Sequence, residues 1–333
     1  MQEKKRKKKE KQKKQYKVRN WAEYNKALIN RYDLTVWIEQ GIAKVWEERF
    51  PEGTKRKRGG QKQFSEQAID CLATIKELFQ LTYRGAQGFA NSLFGEILKL
   101  GIRIPNYTTL DRRRKGLKIH IGAKEQAEKK DGQKREKIDL VFDSSGLKVY
   151  GEGEWKVRKH GWSKHRTWRK IHLSINPKTQ DIEAVELTEN NVDDAEMVAP
   201  MLGQIEKDID TAAGDGAYDK SKVYEQLQKR VHAIAIPPRR DAKIWFHGNR
   251  KGAKHPRDEN LRRIRAIGRE KWKEEISYHK RSLAETGMYR FKTIFDERLS
   301  SRDRDQQEKE AQIKCKIINK MTQLGMPESY CVP

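Results

Sequence analysis

Tyr278, Arg281, Glu285 and Lys292 follow one another at intervals of three, four and seven residues. On a helix turning about 100° per residue they fall at about 0°, 300°, 340° and 320°, a stripe about 60° wide. Such a face presents a ring hydroxyl, a carboxylate and two cations. A carboxylate flanked by cations suits a metal ion held against a phosphodiester, with Arg and Lys gripping the neighbouring phosphates. The bland alternative is a solvated face carrying an i,i+4 salt bridge. Two more carboxylates bear on the choice. Asp143 and Asp215 each end an apolar, strand-like run and precede a Ser or Gly turn. If the two strands are neighbours, their carboxylates meet at one sheet edge, the usual place for a site. A helix beside that edge brings Glu285. Three such groups repel unless cations compensate. Oxygen ligands alone favour Mg2+ or Mn2+ over zinc. Two such ions, about 3.5–4 Å apart, activate water or a 3′-hydroxyl for in-line attack on a phosphodiester.

Rivals exist for each acid. Asp139 lies four positions before Asp143, and Asp219 follows Asp215 by four and suits a helix cap. Glu270, Glu274 and Glu275 lack the Tyr, Arg and Lys companions of Glu285. His160, His165 and His172 have no cysteine nearby and sit among cations, so phosphate contact or exposure is expected of them rather than zinc binding. Lys164, Arg166, Arg169 and Lys170 are interleaved with Trp162 and Trp168, and Arg158, Lys159 and Trp155 lie just upstream. That mixture reads as a nucleic-acid face: cations hold the backbone and a ring stacks on an unpaired base. At least one of these tryptophans is expected in the core.

The elements that must position these residues are legible from periodicity. Residues 138–145 read as a strand, 168–176 and 182–187 as two more, 211–216 and 231–236 as a fourth and fifth, with helices after Asp193 and over 222–230. This is an α/β pattern with a mixed five-stranded sheet flanked by helices. Residues 239–260 read as a basic insertion, and 261–298 as a long helical region. Upstream, 21–49 suggest short amphipathic helices, and 65–82 and 84–100 two firmer ones, the first capped by Ser65. A Thr-capped basic helix at Thr108–Lys115 then carries Arg112, Arg113 and Arg114, and completes a helix-turn-helix-like unit expected to contact DNA. The expected organisation is a disordered basic tail at 1–19, an all-helical DNA-binding region at 20–122, a linker at 123–137, a catalytic domain at 138–298 and a helical tail at 299–333.

Bulk composition agrees. The chain has 333 residues and a formal net charge of +25, which points to a polyanion. Charged residues make up 36% and hydrophobic residues 35%, so the core must be economical. No apolar run approaches the roughly 20 residues of a membrane span. Cys71, Cys315 and Cys331 are far apart and fit a reducing compartment.

The Tyr278, Arg281, Glu285, Lys292 spacing resembles the Y-R-E-K signature of bacterial insertion-sequence transposases. FDSSGLKVYGEGEW around Asp143 and GDGAYD around Asp215 are similar to the other two acidic motifs of these DDE transposases. NWAEYNKALINRYDLTVWI and NYTTLDRRRKGL resemble the insertion-sequence-five family. The resemblance spans residues 19–298. It implies an RNase H-like catalytic domain behind a helical DNA-binding region. It makes Asp143, Asp215 and Glu285 the catalytic ligands of two Mg2+ (or Mn2+) ions. It gives Tyr278, Arg281 and Lys292 the DNA contacts of the last motif. The implied activity is binding of terminal inverted repeats, cleavage of the ends and joining of the 3′-hydroxyls to target DNA. The expected assembly is a homodimer on paired ends, associated with the bacterial nucleoid in the cytoplasm. Two other readings are an RNase H-like nuclease without joining activity and a non-catalytic DNA-binding protein. The basic tail at 1–19 is not part of the family pattern.

Overall fold

The computed structural model describes residues 15–48, 63–122, 137–149, 168–246 and 254–332. Strand β1 (Gln15–Val18) leads into helix α1 (Trp21–Asn30) and the short α2 (Leu34–Trp37). Asp33 caps α2, accepting from the Thr35 N–H at 2.9 Å. A 3-10 turn at Ile42–Val45 then brings in Trp46, which is fully buried and donates its indole N–H to the Arg103 carbonyl at 2.7 Å. Helix α3 (Glu66–Leu78) starts where Ser65 Oγ accepts from the Ala68 N–H at 3.1 Å, as its sequence predicts. Helix α4 (Tyr83–Ala90) continues as a π-helix over Asn91–Ile97. Helix α5 (Tyr107–Arg114) is capped by Asn106, not by a threonine: Asn106 Oδ1 accepts from the Thr108 N–H at 3.0 Å.

Next come β2 (Ile138–Val149), β3 (Trp168–Ile175) and β4 (Ile182–Glu189), then a 3-10 turn at Asp194–Met197 and α6 (Val198–Gly203). Strand β5 (Ile209–Ala213), α7 (Ser221–Leu227) and β6 (Val231–Ala235) follow. Helices α8 (Pro256–Ile267) and α9 (Arg269–Glu275), a 3-10 turn at Tyr278–Arg281, α10 (Ser282–Phe295), the two-residue β7 (Arg298–Leu299), α11 (Arg304–Leu324) and β8 (Ser329–Val332) complete the described chain. The main sheet runs β4-β3-β2-β5-β6, with β7 beside β2. Strands β2, β3 and β4 are antiparallel; β5, β6 and β7 join in parallel. The sheet is mixed, as expected, but has six strands rather than five. Two residues are too few to show a period-two pattern, so β7 left no trace in the sequence.

Alternation along the strands sorts the two faces. Val141, Leu147, Ile171, Leu173 and Ile175 pack with Phe291 of α10 and Ile317 of α11. Leu140, Phe142 and Ala212 pack with Leu202 of α6 and Tyr224 of α7. The first cluster also takes in Trp46, Leu72, Phe94 and Leu110, so the N-terminal helices and the sheet share one core.

Four expectations change here. The single helical region over 261–298 is broken at Gly268 (φ +85°) and Ser277 (φ +53°), backbone values a continuing helix cannot adopt. The segment 299–333 is no appended tail: α11 buries Ile313, Ile317, Ile318 and Met321, and Asn319 bonds both the N–H and the C=O of Ile182 at 2.7 Å. Residues 15–18 of the expected tail form β1, paired antiparallel with β8. Part of the 239–260 insertion is helix α8, begun by Pro256 at its first turn. The linker at 123–137 lies almost wholly outside the described residues, as do Lys164, Arg166, His160 and His165. Among the described residues, no helix is long and apolar enough to cross a membrane.

Candidate active site

Parallel pairing sets Val141 of β2 opposite Ala213 of β5. Two residues further along each chain stand Asp143 and Asp215. A step of two restores the same face, so both carboxylates join Val141 and Ala213 on the side covered by α10. Gly214, between Ala213 and Asp215, has no room for a side chain: a Cβ there would lie 2.8 Å from the Tyr218 ring. Asp215 then turns the chain, Oδ1 accepting from the Ala217 N–H at 2.8 Å.

Helix α10 brings Glu285 because Gly287 lets it lie close to the sheet. A Cβ at Gly287 would stand 2.4 Å from Ile175 Cδ1. Gly287→Val is therefore expected to push α10 outward, costing about 1–3 kcal/mol by overpacking. A lowered melting temperature is the expected result; a wild-type value would refute the close-approach argument.

Tyr278 and Arg281 lie on the 3-10 turn before α10, not on one α-helix with Glu285. The four-residue spacing still delivers Arg281 Nη2 to Glu285 Oε1 as an ion pair. The Tyr278 hydroxyl donates to the Gly214 carbonyl at 3.2 Å, and its ring packs on Trp272 with centroids 6.2 Å apart. The turn is thus tied to the strand end that carries Asp215. Lys292 lies elsewhere, 3.8 Å from Glu297, which also pairs with Lys148.

The acids sense one another. Burial pushes the Asp143 carboxyl above its ordinary range; the Ser144 N–H and Arg281 oppose this, and Asp215 and Glu285 add to it. Among the described residues, no three His, Cys, Asp or Glu side chains close around a single point as a metal cage would require. Glu285 is committed to Arg281 and more than half exposed.

The sequence reading missed what lies beneath. The Tyr218 hydroxyl is buried without a hydrogen-bond partner. Burial raises its pKa, and Asp194, Asp143 and Asp215 raise it further. GDGAYD holds the signal, an aromatic three residues after the acid, but nothing in its type says it turns inward. His172 is a correction. Far from meeting phosphate or solvent, it is fully buried, Nε2 2.9 Å from Thr188 Oγ1 and Nδ1 3.6 Å from Asp194 Oδ1. Burial lowers its pKa from 6.5 to about 4. The unfolded chain therefore binds this proton at a higher pH than the native one. Stability is expected to fall by up to roughly 3 kcal/mol as pH drops from 6.5 to about 4. Urea midpoints across that window should show the slope, and His172→Gln should flatten it.

The other predicted cations divide. Arg169 is held by Glu189 and by Gln307 Oε1 at 2.9 Å, and Lys170 by Asp194 at 3.1 Å and the Val192 carbonyl at 2.8 Å. Arg112 is exposed, Nε donating to the Thr108 carbonyl at 3.3 Å. Arg113 donates to the Phe64 carbonyl at 2.8 Å. Arg114 cannot meet DNA: it is fully buried, its Nη1 2.9 Å from Glu77 Oε1 and its Nη2 3.0 Å from the Gln306 carbonyl.

A family model described as a transposase DDE domain matches residues 134–320, and a second of the same description matches residues 29–152. The chain belongs to the DDE transposase family. The 134–320 match contains Asp143, Asp215 and Glu285. Among solved structures, the chain is similar to the Drosophila P element transposase strand transfer complex at 11% identity and a TM-score of 0.27. That similarity covers 60% of this chain and 40% of the other, so this chain matches less than half of its length.

Proposed function

We propose that this chain is a DNA transposase of the insertion-sequence-five type. It binds the terminal inverted repeats of its own element, cuts the ends and joins the freed 3′-hydroxyls to target DNA. The observation that carries the reading is the register that pairs Val141 with Ala213, two residues before Asp143 and Asp215, together with the electrostatic influence of Asp215 and Glu285 on Asp143. The strand order β4-β3-β2-β5-β6, with its first three strands antiparallel and the rest parallel, supports an RNase H-like catalytic domain. The net charge of +25 supports DNA as partner, and paired element ends call for a homodimer. The same reading places the chain at a bacterial nucleoid.

The donor set fits divalent cations. Asp143 is raised by burial and by two carboxylates, a mutual repulsion that a cation relieves. Asp143, Asp215 and Glu285 would hold two Mg2+ or Mn2+ ions, with Glu285 exchanging Arg281 for metal. Bound there, the ions supply charge neutralisation and an activated oxygen nucleophile. The chain's own residues do the positioning. Tyr278 anchors the turn to Gly214, and Arg281 is poised to pass from Glu285 to a phosphate. In cutting, water oxygen bonds to phosphorus, the P–O3′ bond breaks and O3′ takes the proton. In joining, that O3′ gives up its proton and bonds to a target phosphorus, and the displaced target 3′-oxygen leaves as a hydroxyl with a proton of its own. One phosphodiester replaces another, so no energy source is needed.

Labelled element ends incubated with the protein and magnesium should yield nicked ends and longer joined products on a sizing gel. Cut ends without joined products would instead favour a nuclease. Full strand transfer by a chain lacking all three acids would overturn the proposal.

A further inference from the structure

Strands β1 and β8 form a two-stranded ribbon separate from the main sheet. An isolated pair of strands is marginal in water, and here both partners are largely exposed. Its anchor is polar. Asn20 donates to the Met326 carbonyl at 3.0 Å and accepts from the Glu328 N–H at 2.8 Å. Yet the ribbon and its continuation expose Tyr16 at 64%, Trp21 at 59% and Tyr330 at 42%. Apart from an edge contact of Trp21 with Tyr24, centroids 6.2 Å apart, and Arg19 over Tyr330, these rings stand open to water at a pinned position among the described residues.

Cations lie among these rings. Register sets Lys17 opposite Tyr330, and the Arg19 guanidinium lies 5.8 Å from the centre of the Tyr330 ring. Neither Lys17 nor Arg19 is paired with a carboxylate among the described residues. The sequence running into the ribbon is strongly basic: residues 1–19 carry eleven Lys or Arg against Glu3 and Glu10. A second copy of this chain seated on the ribbon would bring the same positive charge against itself, so self-association through this face is disfavoured. A polyanion offering flat, open faces fits both the charge and the rings.

We infer that the ribbon of β1 and β8, with Trp21, is a nucleic-acid contact for unpaired bases. Tyr16, Trp21 and Tyr330 stack on bases, and Lys17 and Arg19 take the flanking phosphates. This rests on the proposed DNA function and adds to it a surface built from both ends of the described chain.

The test uses the full chain with two probes, a fluorescein-labelled oligothymidine and a blunt duplex. Tyr16→Ala/Trp21→Ala/Tyr330→Ala should weaken oligothymidine binding at least about tenfold while duplex affinity changes less than about twofold. Tyr16→Phe/Trp21→Phe/Tyr330→Phe should keep wild-type affinity, since the rings remain. Circular dichroism and melting confirm that both variants fold. Unchanged oligothymidine affinity in the alanine variant overturns the inference alone. So does a fall in sedimentation coefficient with affinity unchanged, which would show that a second copy covers the ribbon. A wild-type chain that binds neither probe overturns this inference and the DNA reading together.

Discussion

Replacing Asp143 by asparagine is expected to lower strand cutting by about a thousandfold or more while leaving DNA binding near wild type. The side chain keeps its size, so β2 and its register with β5 survive. What goes is one of two carboxylates that stand two residues beyond the paired Val141 and Ala213. Asparagine also removes a charge that Asp215 and Glu285 oppose, so stability should hold or rise slightly. Asp215→Asn should match it in rate, although its turn to Ala217 is kept by the amide oxygen. The sign with pH follows from the raised Asp143 pKa. In the metal-free protein the Asp143 carboxyl takes up its proton at a higher pH than an ordinary aspartate, so under the proposed mechanism limiting Mg2+ should be lost, and the rate fall, from a higher pH. Gel assays of end-labelled DNA across pH, with binding followed by anisotropy, read both effects. Near-normal cutting by Asp143→Asn would remove the site from the chemistry.

The second large effect concerns folding. Arg114→Leu is expected to destabilise the protein by about 3–5 kcal/mol, because it strands buried carboxylates. Arg114 Nη1 meets Glu77 at 2.9 Å, and Nη2 stands 4.0 Å from Glu310, itself fully buried. Burial drives the Glu310 carboxyl up. Lys314, Arg114 and the Ser300 N–H outweigh it and hold the pKa at about 2. The Glu310 contribution is therefore complete above the ordinary value of 4.5 and disappears as pH falls towards about 2. Arg114→Leu/Glu310→Gln should recover part of the loss, and chemical denaturation of the four forms measures the coupling. If Arg114 were instead a DNA contact, the single variant would melt normally and bind DNA less tightly.

These two sites show what a linear reading can reach. Strand alternation puts Asp143 on the face of Val141, because a period of two determines the face of every side chain, but β2 runs on to Val149, so Asp143 stands within its strand and not at its end. The stripe through Glu285 requires a uniform helical pitch, yet Ser277 breaks the helix and Tyr278 begins a 3-10 turn. Arg281 still met Glu285 because a separation of four bridges one turn either way. Lys292 was lost to Glu297, a competitor whose position depends on the chain reversing after α10. Arg114 read as surface because three adjacent arginines usually are. Its burial depends on Glu77 and Glu310, distant in sequence, and no local pattern announces them. His172 failed likewise: Thr188 on the neighbouring strand and Asp194 beyond it make its pocket.

Helix α11 carries one last implication. It closes the flank shared by α3, β4 and α10, yet it follows all three in the chain. Everything made before it must wait with oily side chains uncovered, a long-range closure that slows maturation. A product of premature termination ahead of Arg304 cannot persist as a folded half-protein competing for DNA. Quality control by proteolysis would clear it, so the working fold needs the chain at least through Leu324.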